Sequence, residues 1–247
     1  MPSLVGSEMC IRDSTSMTAD KRKYGFRRAF TLRPHLLKGM LSISGWTMVQ
    51  SFISVSIWFI FFLAIEHLGE RPLAVTNIVR NISALLIMVI SAFATTAGAL
   101  ISNQIGAGEQ RCLFKTCGMT LKLTYAILIP LLIILCLFPE SVLRAFTDSP
   151  SLIAASVNSV YVMASSTLIM APSFILFNAV SGTGNTRAGF IMEMISLAVY
   201  TAVIYYGIIR LKPDVALCWF SEHVYGVTLI FLAWWYLKSG KWRGKKV

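Results

Sequence analysis

The sequence predicts an all-α polytopic membrane protein built as a bundle of six transmembrane helices. Six apolar stretches are each long enough to cross a bilayer, which takes about 20 helical residues, and short polar loops separate them. None shows the period-two alternation of a membrane β-barrel, and helices are the remaining way to satisfy backbone groups in lipid. The predicted spans are Gly39–Leu63, Ala74–Ile101, Leu113–Leu137, Ile153–Val180, Ala188–Ile209 and Val215–Leu237.

Basic residues in the loops predict the orientation of the spans. They collect before the first span, in the second and fourth loops, and after the last span, at Lys21, Arg22, Lys23, Arg27, Arg28, Arg33, Lys38, Arg111, Lys115, Lys122, Arg187, Lys238, Lys241, Arg243, Lys245 and Lys246. The opposite side carries Arg71, Arg144, Arg210 and Lys212. By the positive-inside rule both termini are cytoplasmic, as an even number of spans requires.

The net charge of +11 is explained by this topology and by contact with anionic lipid headgroups. The alternative reading, nucleic-acid binding by the basic tails, is not needed to explain basic residues that flank membrane spans. We therefore expect a lipid bilayer and no nucleic acid as partners. Residues 15–38 form a basic cytoplasmic linker, residues 39–237 the six-helix lobe, and residues 238–247 a basic cytoplasmic tail.

Residues 1–14 are interpreted as foreign to the protein. The run Leu4–Asp13 is similar to the in-frame translation of a transposon adapter used in sequencing libraries, and the run has no apolar core of the kind a signal peptide needs. A signal peptide or a genuine N-terminus are the alternatives. We expect the natural chain to extend further upstream.

Other features of the chain give no sign of an enzyme. Cys112, Cys117, Cys136 and Cys218 are scattered and show no metal-ligand spacing, which favours packing roles and predicts no metal site. No nucleophile–base pair or paired carboxylates can be assembled at one depth, so no catalytic residues are predicted. The longest outer loop, 138–152, has room for a short interfacial helix, and Trp234, Trp235 and Tyr236 form an aromatic anchor at the last span's cytoplasmic end.

Two short cytoplasmic loops share the pattern G-x-G-x-x-R. Gly106, Gly108 and Arg111 form the first, and Gly182, Gly184 and Arg187 form the second. A helix that ends in a tight turn needs a residue that tolerates positive φ, which glycine supplies, and Asn185 or Thr186 can cap the next helix. A dinucleotide-binding motif would need a strand before these glycines, and the sequence predicts none there.

Ionisable residues inside the spans are the main candidates for cation coupling, because a charge at bilayer depth costs about 2.5–3.5 kcal/mol on insertion scales. Glu222 and His223 lie deepest, and neighbours on a helix point in different directions. They either form a proton- or cation-linked pair or make packing bonds to another span. Glu193 is a further candidate for cation coupling, but it lies closer to the cytoplasm, where the favoured alternative is a structural role in which it snorkels or pairs with Arg187.

Polar residues on two other spans are candidates for lining a substrate cavity. Asn77, Arg80 and Asn81 lie near one face of the second span, where they line a cavity or Arg80 snorkels outward. Gln50 and Ser54 share a face of the first span, with Trp58 one turn further on. Amide, hydroxyl and aromatic groups suit flat organic cations, and interhelical bonds with a packed indole are the equal alternative.

Three motifs resemble the C-terminal half of MATE (multidrug and toxin extrusion) transporters. The run Thr95–Arg111 is similar to the A-T…Q-x-x-G-A-G end of their eighth span, and Phe177–Arg187 to the G-x-G-x-T-R turn after their tenth. His67–Ala74 resembles their outer L-G-x-x-x-L-A loop. The resemblance covers residues 36–237 and implies the last six of twelve spans, with an N-terminal lobe missing.

The resemblance implies a secondary antiporter that exports organic cations or other xenobiotics in exchange for H⁺ or Na⁺, by alternating access, in a bacterial inner membrane. It implies a small-molecule substrate, the missing lobe as partner, and no cofactor. A flippase for a lipid-linked saccharide, a scaffold and an inactive fragment are the alternatives. Some sodium-coupled members carry carboxylates where Ser54 and Met170 stand here, so that cation site does not transfer to this chain.

Overall fold

A computed structural model describes residues 34–109, 112–211, 213–240 and 242. The chain divides into two compact units, Met1–Gly45 and Trp46–Val247. The described part is helical, and its elements are α1 (Pro34–Glu66), α2 (Glu70–Gly106), α3 (Leu113–Leu137), α4 (Pro139–Leu143), α5 (Pro150–Gly182), α6 (Thr186–Val203) with a π-helical continuation (Ile204–Arg210), α7 (Val215–Cys218) and α8 (Ser221–Ser239). The adapter-like segment and most of the predicted linker lie outside the described residues.

Among the described residues, six helical stretches are long and apolar enough to cross a membrane, which confirms the predicted number of spans. Their bounds are Met48–Glu66, Glu70–Gly106, Leu113–Leu137, Pro150–Gly182, Thr186–Arg210 and Val215–Ser239. The short helix expected in the longest outer loop is α4. We call the end of the bundle that holds Arg187 and Lys238 the basic side, which the sequence predicts to be cytoplasmic, and the other end the far side.

Proline and glycine fix several helix ends. The helices α1, α4 and α5 each begin on a proline, whose fixed φ suits the first helical position and whose missing N–H costs nothing there. In both G-x-G turns the second glycine has the positive φ, +83° at Gly108 and +78° at Gly184. Asn185 then caps α6, because its side chain accepts a hydrogen bond from the backbone N–H of Ala188 at 3.3 Å.

Gly182 allows two helices to approach closely, whereas the motif predicted a glycine with positive φ. Its φ is not positive, and a Cβ placed there would lie 2.5 Å from the backbone oxygen of Gly98. A Cβ on Gly98 would in turn lie 3.0 Å from the backbone oxygen of Asn178. The glycines therefore let α2 and α5 cross backbone to backbone near the basic side, and α5 packs more extensively on α2 than on any other helix.

Helix α5 is the centre of the bundle, with α2, α3 and α8 packed around it and α6 packed mainly on α8. Pro172 removes one hydrogen bond from this helix, since a proline cannot donate to the carbonyl four residues earlier, here that of Leu168. The hydroxyl of Tyr125 on α3 donates to that carbonyl oxygen at 2.8 Å. A neighbouring helix thus satisfies the backbone group that the proline leaves unpaired.

The second half of α1 joins the bundle through side chains. Phe61 and Ile65 are fully buried with Tyr200, Ile204 and Ile208, on α6 and its π-helical end. Earlier in the helix, large apolar side chains are exposed at Met48, Phe52, Val55 and Phe59. Helix α1 therefore has its firmest contact with the bundle near the far side.

Candidate functional site

Two glutamates on α6 and α8 lie inside the bundle. Glu193 and Glu222 each expose 5% of their surface. Such residues are rare in transmembrane helices, and when buried they need partners that replace water. In the described part of the chain, the hydrogen-bond donors that reach them are hydroxyl groups.

The two glutamates are held by a crossed pair of tyrosines. The Tyr225 hydroxyl of α8 donates to Glu193 Oε1 of α6 at 2.9 Å, and the Tyr200 hydroxyl of α6 donates to Glu222 Oε1 of α8 at 2.7 Å. The two tyrosine rings meet edge to face, with centroids 5.8 Å apart. Each helix thus contributes one acid and one tyrosine, and we call these four residues the acid–tyrosine seam.

The spacing of these residues explains why they share one seam. Glu193 and Tyr200 are separated by seven residues, or two helical turns, so they lie on one face of α6. Glu222 and Tyr225 are three residues apart and lie on one face of α8. Because the two helices run antiparallel and pack together, the acid of each meets the tyrosine of the other.

The prediction that Glu193 snorkels or pairs with Arg187 is wrong. Arg187 is exposed at the start of α6, whereas Glu193 lies further along the helix on the face that packs against α8. Burial on that face removes the carboxylate from the headgroup layer. Its partners are Tyr225 and Ser54, whose hydroxyl donates to Glu193 Oε1 at 3.0 Å.

Ser54 and Trp58 both make contacts inside the bundle. Ser54 bonds across to α6, and the Trp58 ring packs against Phe61 and Phe62 at centroid distances of 6.0 and 5.6 Å. Gln50 is half-buried on α1. Ser54 stands where the resemblance implied a carboxylate in some sodium-coupled members, and here it bonds to a carboxylate supplied by α6.

Glu222 and His223 point towards different helices, as adjacent residues must. Glu222 faces Tyr200 on α6, while the His223 ring lies 2.9 Å from Ser165 Oγ on α5 and stacks on Phe220. His223 therefore stands apart from the acid–tyrosine seam. Met170, the other position where some members carry an acid, is buried in the apolar core.

The polar residues predicted on the second span belong to a larger set on one face of α2, which we call the α2 polar stripe: Asn77, Arg80, Asn81, Ser91, Thr95 and Ser102. The stripe has two parts, because the residues exposed between Asn81 and Ser91 are the apolar Ala84, Leu85 and Met88. All but the half-buried Asn77 are exposed, and the Arg80 guanidinium lies 5.0 Å from the centre of the Phe62 ring. Exposed residues of α3, such as Met119, Leu123, Ile127 and Ile134, are apolar as lipid requires.

Two further site predictions concern the turns. Gly106 ends α2 with open space around it in the described part of the chain, while Gly182 ends α5 at the helix crossing described above. Arg187 is exposed at the basic side, and Arg111 lies outside the described residues.

Sequence reasoning missed Tyr200 and Tyr225, although the spacing of Glu193 and Tyr200 on one helix face was a usable signal.

Comparison with known proteins identifies the family. The MatE family profile matches residues 47–206. The fold matches a point mutant of the Vibrio cholerae MATE transporter VcmN (TM-score 0.76, 15% identity, 86% of this chain and 49% of that chain). It also matches a Pyrococcus furiosus MOP superfamily transporter, described by the reverse polarity of its binding pocket (TM-score 0.71, 14% identity, 81% and 44%). No curated protein sequence matches the chain.

The chain spans about half the length of the structures it resembles, and its described part contains six helices long and apolar enough to cross a membrane. A third structure, the outward-facing conformation of a multidrug resistance MATE family transporter of the MOP superfamily, agrees with this (TM-score 0.73, 14% identity, 83% of this chain and 46% of that chain). The extent of the profile match and the six-span fold lead to one conclusion: this chain belongs to the MatE family of membrane transporters.

Proposed function

We propose that this chain is the C-terminal lobe of a secondary antiporter that exports organic cations or similar xenobiotics in exchange for H⁺ or Na⁺. The observation that carries the proposal is the acid–tyrosine seam. Glu193 and Glu222 are buried, and their hydrogen-bond donors in the described part of the chain are neutral hydroxyls. A buried carboxylate without a fixed cationic partner can take up and release a proton or a small cation as solvent access changes.

The α2 polar stripe supports a water-filled cavity beside the lobe. Asn, Ser and Thr side chains exposed along a transmembrane helix are costly against lipid, and they are tolerated where they line an aqueous path. Its two parts, Asn77–Asn81 and Ser91–Ser102, lie towards the two ends of α2, and the exposed Leu85 and Met88 separate them. In the proposal it forms one wall of the substrate cavity, and a second lobe forms the opposite wall.

In the proposal, alternating access depends on whether the carboxylates of the acid–tyrosine seam are charged or neutralised by the coupling ion. With both glutamates charged, the cavity's electrostatic potential favours a cationic substrate. Uptake of the coupling ion neutralises a carboxylate and lowers that preference, so entry of the ion favours substrate release. The lipid-linked saccharide flippase predicts several cations along the cavity to hold a diphosphate, whereas the α2 polar stripe carries Arg80 alone among its six residues.

The test is dye efflux by the intact transporter in membrane vesicles. Glu222→Gln keeps the size of the side chain and removes its ability to ionise, so we expect loss of ethidium efflux driven by a pH or Na⁺ gradient. Glu66→Gln changes an exposed carboxylate at the far end of α1 and is the matched control, with efflux at the wild-type rate. Wild-type efflux by Glu222→Gln would remove Glu222 from the coupling mechanism.

A further inference from the structure

A charged cavity opens on the far side of the bundle, in the loop between α3 and α5. Its volume is about 320 Å³. The short helix α4, the turn that follows it and the first turn of α5 form its wall, with Glu140, Arg144, Asp148, Pro150, Ile153 and Ala154 as the lining residues. We call it the far-side cavity. None of its residues belongs to the acid–tyrosine seam or to the α2 polar stripe.

The charged side chains of the far-side cavity are not paired with one another. Glu140 precedes Arg144 by four residues, which is the order and spacing at which acid and base form ion pairs on a helix. In the described part of the chain, however, the side chains of Glu140, Arg144 and Asp148 make no ion pair and no hydrogen bond. All three are exposed. The cavity wall therefore presents two negative charges and one positive charge that the described residues leave available to a ligand.

The far-side cavity lies at the level of the membrane surface. Helix α3 ends at Leu137 and α5 begins at Pro150, so the loop between them joins two spans where they leave the bilayer. Phe138 and Phe146 are exposed at the two ends of α4, while Leu143 is fully buried and holds α4 against the bundle. Exposed apolar side chains next to charged ones are typical of a segment that lies in the headgroup layer. Lipid headgroups are thus the nearest ligands available to the cavity.

The charges of the far-side cavity favour a ligand that carries both signs. An anion alone would meet two carboxylates, and a cation alone would meet the Arg144 guanidinium, whereas a zwitterion can satisfy all three side chains. Carboxylates accept hydrogen bonds from a primary ammonium, which has three N–H donors, and a guanidinium binds a phosphate through two parallel hydrogen bonds. The volume is at the lower end of the range of about 300–1,000 Å³ for small-molecule sites, as expected for a group of few atoms.

An apolar surface leads along α3 to the far-side cavity. Ile133, Ile134 and Leu137 are exposed in the last turns of α3, directly before the loop that holds the cavity. Ile153 and Ala154 add an apolar part to the cavity wall itself. A soluble zwitterion would leave the exposed surface of α3 uncovered, whereas the acyl chains of a membrane lipid would lie against it. The combination of a zwitterionic site and an adjoining apolar surface therefore favours a phospholipid.

We propose that the far-side cavity binds the headgroup of a phospholipid that carries a primary ammonium and a phosphodiester, such as phosphatidylethanolamine. Arg144 binds the phosphate, and Glu140 and Asp148 bind the ammonium. A bound headgroup would join α4 to the first turn of α5 through charges that the described residues leave unpaired. This proposal goes beyond the proposed transport function and does not depend on it.

The experiment titrates the intact transporter, purified in detergent, with dioleoyl lipids that differ in their headgroups, and native mass spectrometry counts the bound lipid. Phosphatidylethanolamine should bind at least about tenfold more tightly than phosphatidylglycerol, which has no ammonium, or phosphatidylcholine, whose ammonium has no N–H. Glycerophosphoethanolamine has the same headgroup without acyl chains. It should not displace phosphatidylethanolamine at equal concentration.

Two variants test the assigned roles. Arg144→Gln should weaken phosphatidylethanolamine binding about tenfold, because it removes the charge that holds the phosphate. Glu140→Lys makes the cavity's charge positive and should shift its preference from phosphatidylethanolamine to phosphatidylglycerol. Arg210→Gln and Glu66→Gln change exposed charges on the far side but outside the cavity, and they should bind phosphatidylethanolamine as the wild type does. Because all four positions are exposed, each variant should unfold near the wild-type temperature without added lipid.

Four results would overturn the proposal. Equal affinity for the three lipids would show that the charges of the cavity do not select a headgroup. Unchanged phosphatidylethanolamine binding in Arg144→Gln would place the lipid elsewhere. Displacement by glycerophosphoethanolamine at equal concentration would make the ligand a soluble zwitterion, and displacement by ethidium would assign the cavity to the transport path.

Discussion

The crossing of α2 and α5 at Gly98 and Gly182 provides the sharpest test of the packing. In Gly182→Ala, the added methyl carbon starts 2.5 Å from the Gly98 backbone oxygen, and an ordinary contact begins near 3.4 Å. The atoms in the way are backbone, so no side chain can rotate aside. The two helices must separate by about 0.9 Å at this point, or α5 must end earlier.

The size of the effect follows from two opposing contributions. Overpacking of a rigid site costs about 1–3 kcal/mol. Alanine favours a helix interior over glycine by about 0.8–1.0 kcal/mol, but this gain is smaller at a helix's last residue. We therefore expect a net loss of about 1–2 kcal/mol, which for a bundle of this size lowers the unfolding temperature by roughly 2–8 °C.

The assay is thermal unfolding of the purified protein in detergent, followed by tryptophan fluorescence. Gly118→Ala is the matched control, since Gly118 lies inside α3 with no described atom within 4 Å of its added methyl. It should keep or raise the unfolding temperature. If Gly182→Ala proves as stable as Gly118→Ala, the close backbone approach of α2 and α5 is not present in the folded protein.

Two smaller predictions concern backbone groups that a side chain satisfies. Tyr125→Phe leaves the Leu168 carbonyl without its donor and should cost about 1–3 kcal/mol by thermal unfolding, whereas in a Pro172→Ala background, which restores the helical donor, the same change should cost much less. Asn185→Ala removes the cap on the backbone N–H of Ala188 and should cost about 1 kcal/mol, while Asn185→Asp should lose less if the cap is the main contribution.

The number and placement of the spans could be predicted because they depend on composition alone. Any stretch such as Leu113–Leu137 must be helical in lipid, whatever it packs against, and the structure has a helix with those bounds. The start of α1 was harder to predict. The helix begins at Pro34, before the predicted membrane span that starts at Gly39, because proline's fixed φ suits the first helical position whether or not the residues that follow are apolar.

The site was only partly predictable, because the sequence indicates how deep a residue lies in the membrane but not which neighbouring helix its side chain faces. Depth singled out Glu222, which the structure buries, yet it misplaced Glu193, whose direction depends on which face of α6 meets α8. That choice is made by tertiary packing. The G-x-G turns show the same limit, since local geometry predicted the positive φ now seen at Gly108 and Gly184 but not the helix crossing at Gly182.

The reciprocal arrangement of the acid–tyrosine seam also constrains how the lobe can move. Sliding α6 past α8 by one helical turn, about 5.4 Å, would strip the donor from Glu193 and from Glu222 in the same step. Two desolvated carboxylates would then face hydrocarbon together, at a cost far above thermal energy. While both carboxylates are charged, the hairpin of α6 and α8 must consequently travel as one rigid piece. Any rearrangement within the lobe must then occur in helices outside the α6–α8 hairpin. Among these, α1 is held to the hairpin by the Ser54 hydrogen bond and by the packing of Phe61 on Tyr200.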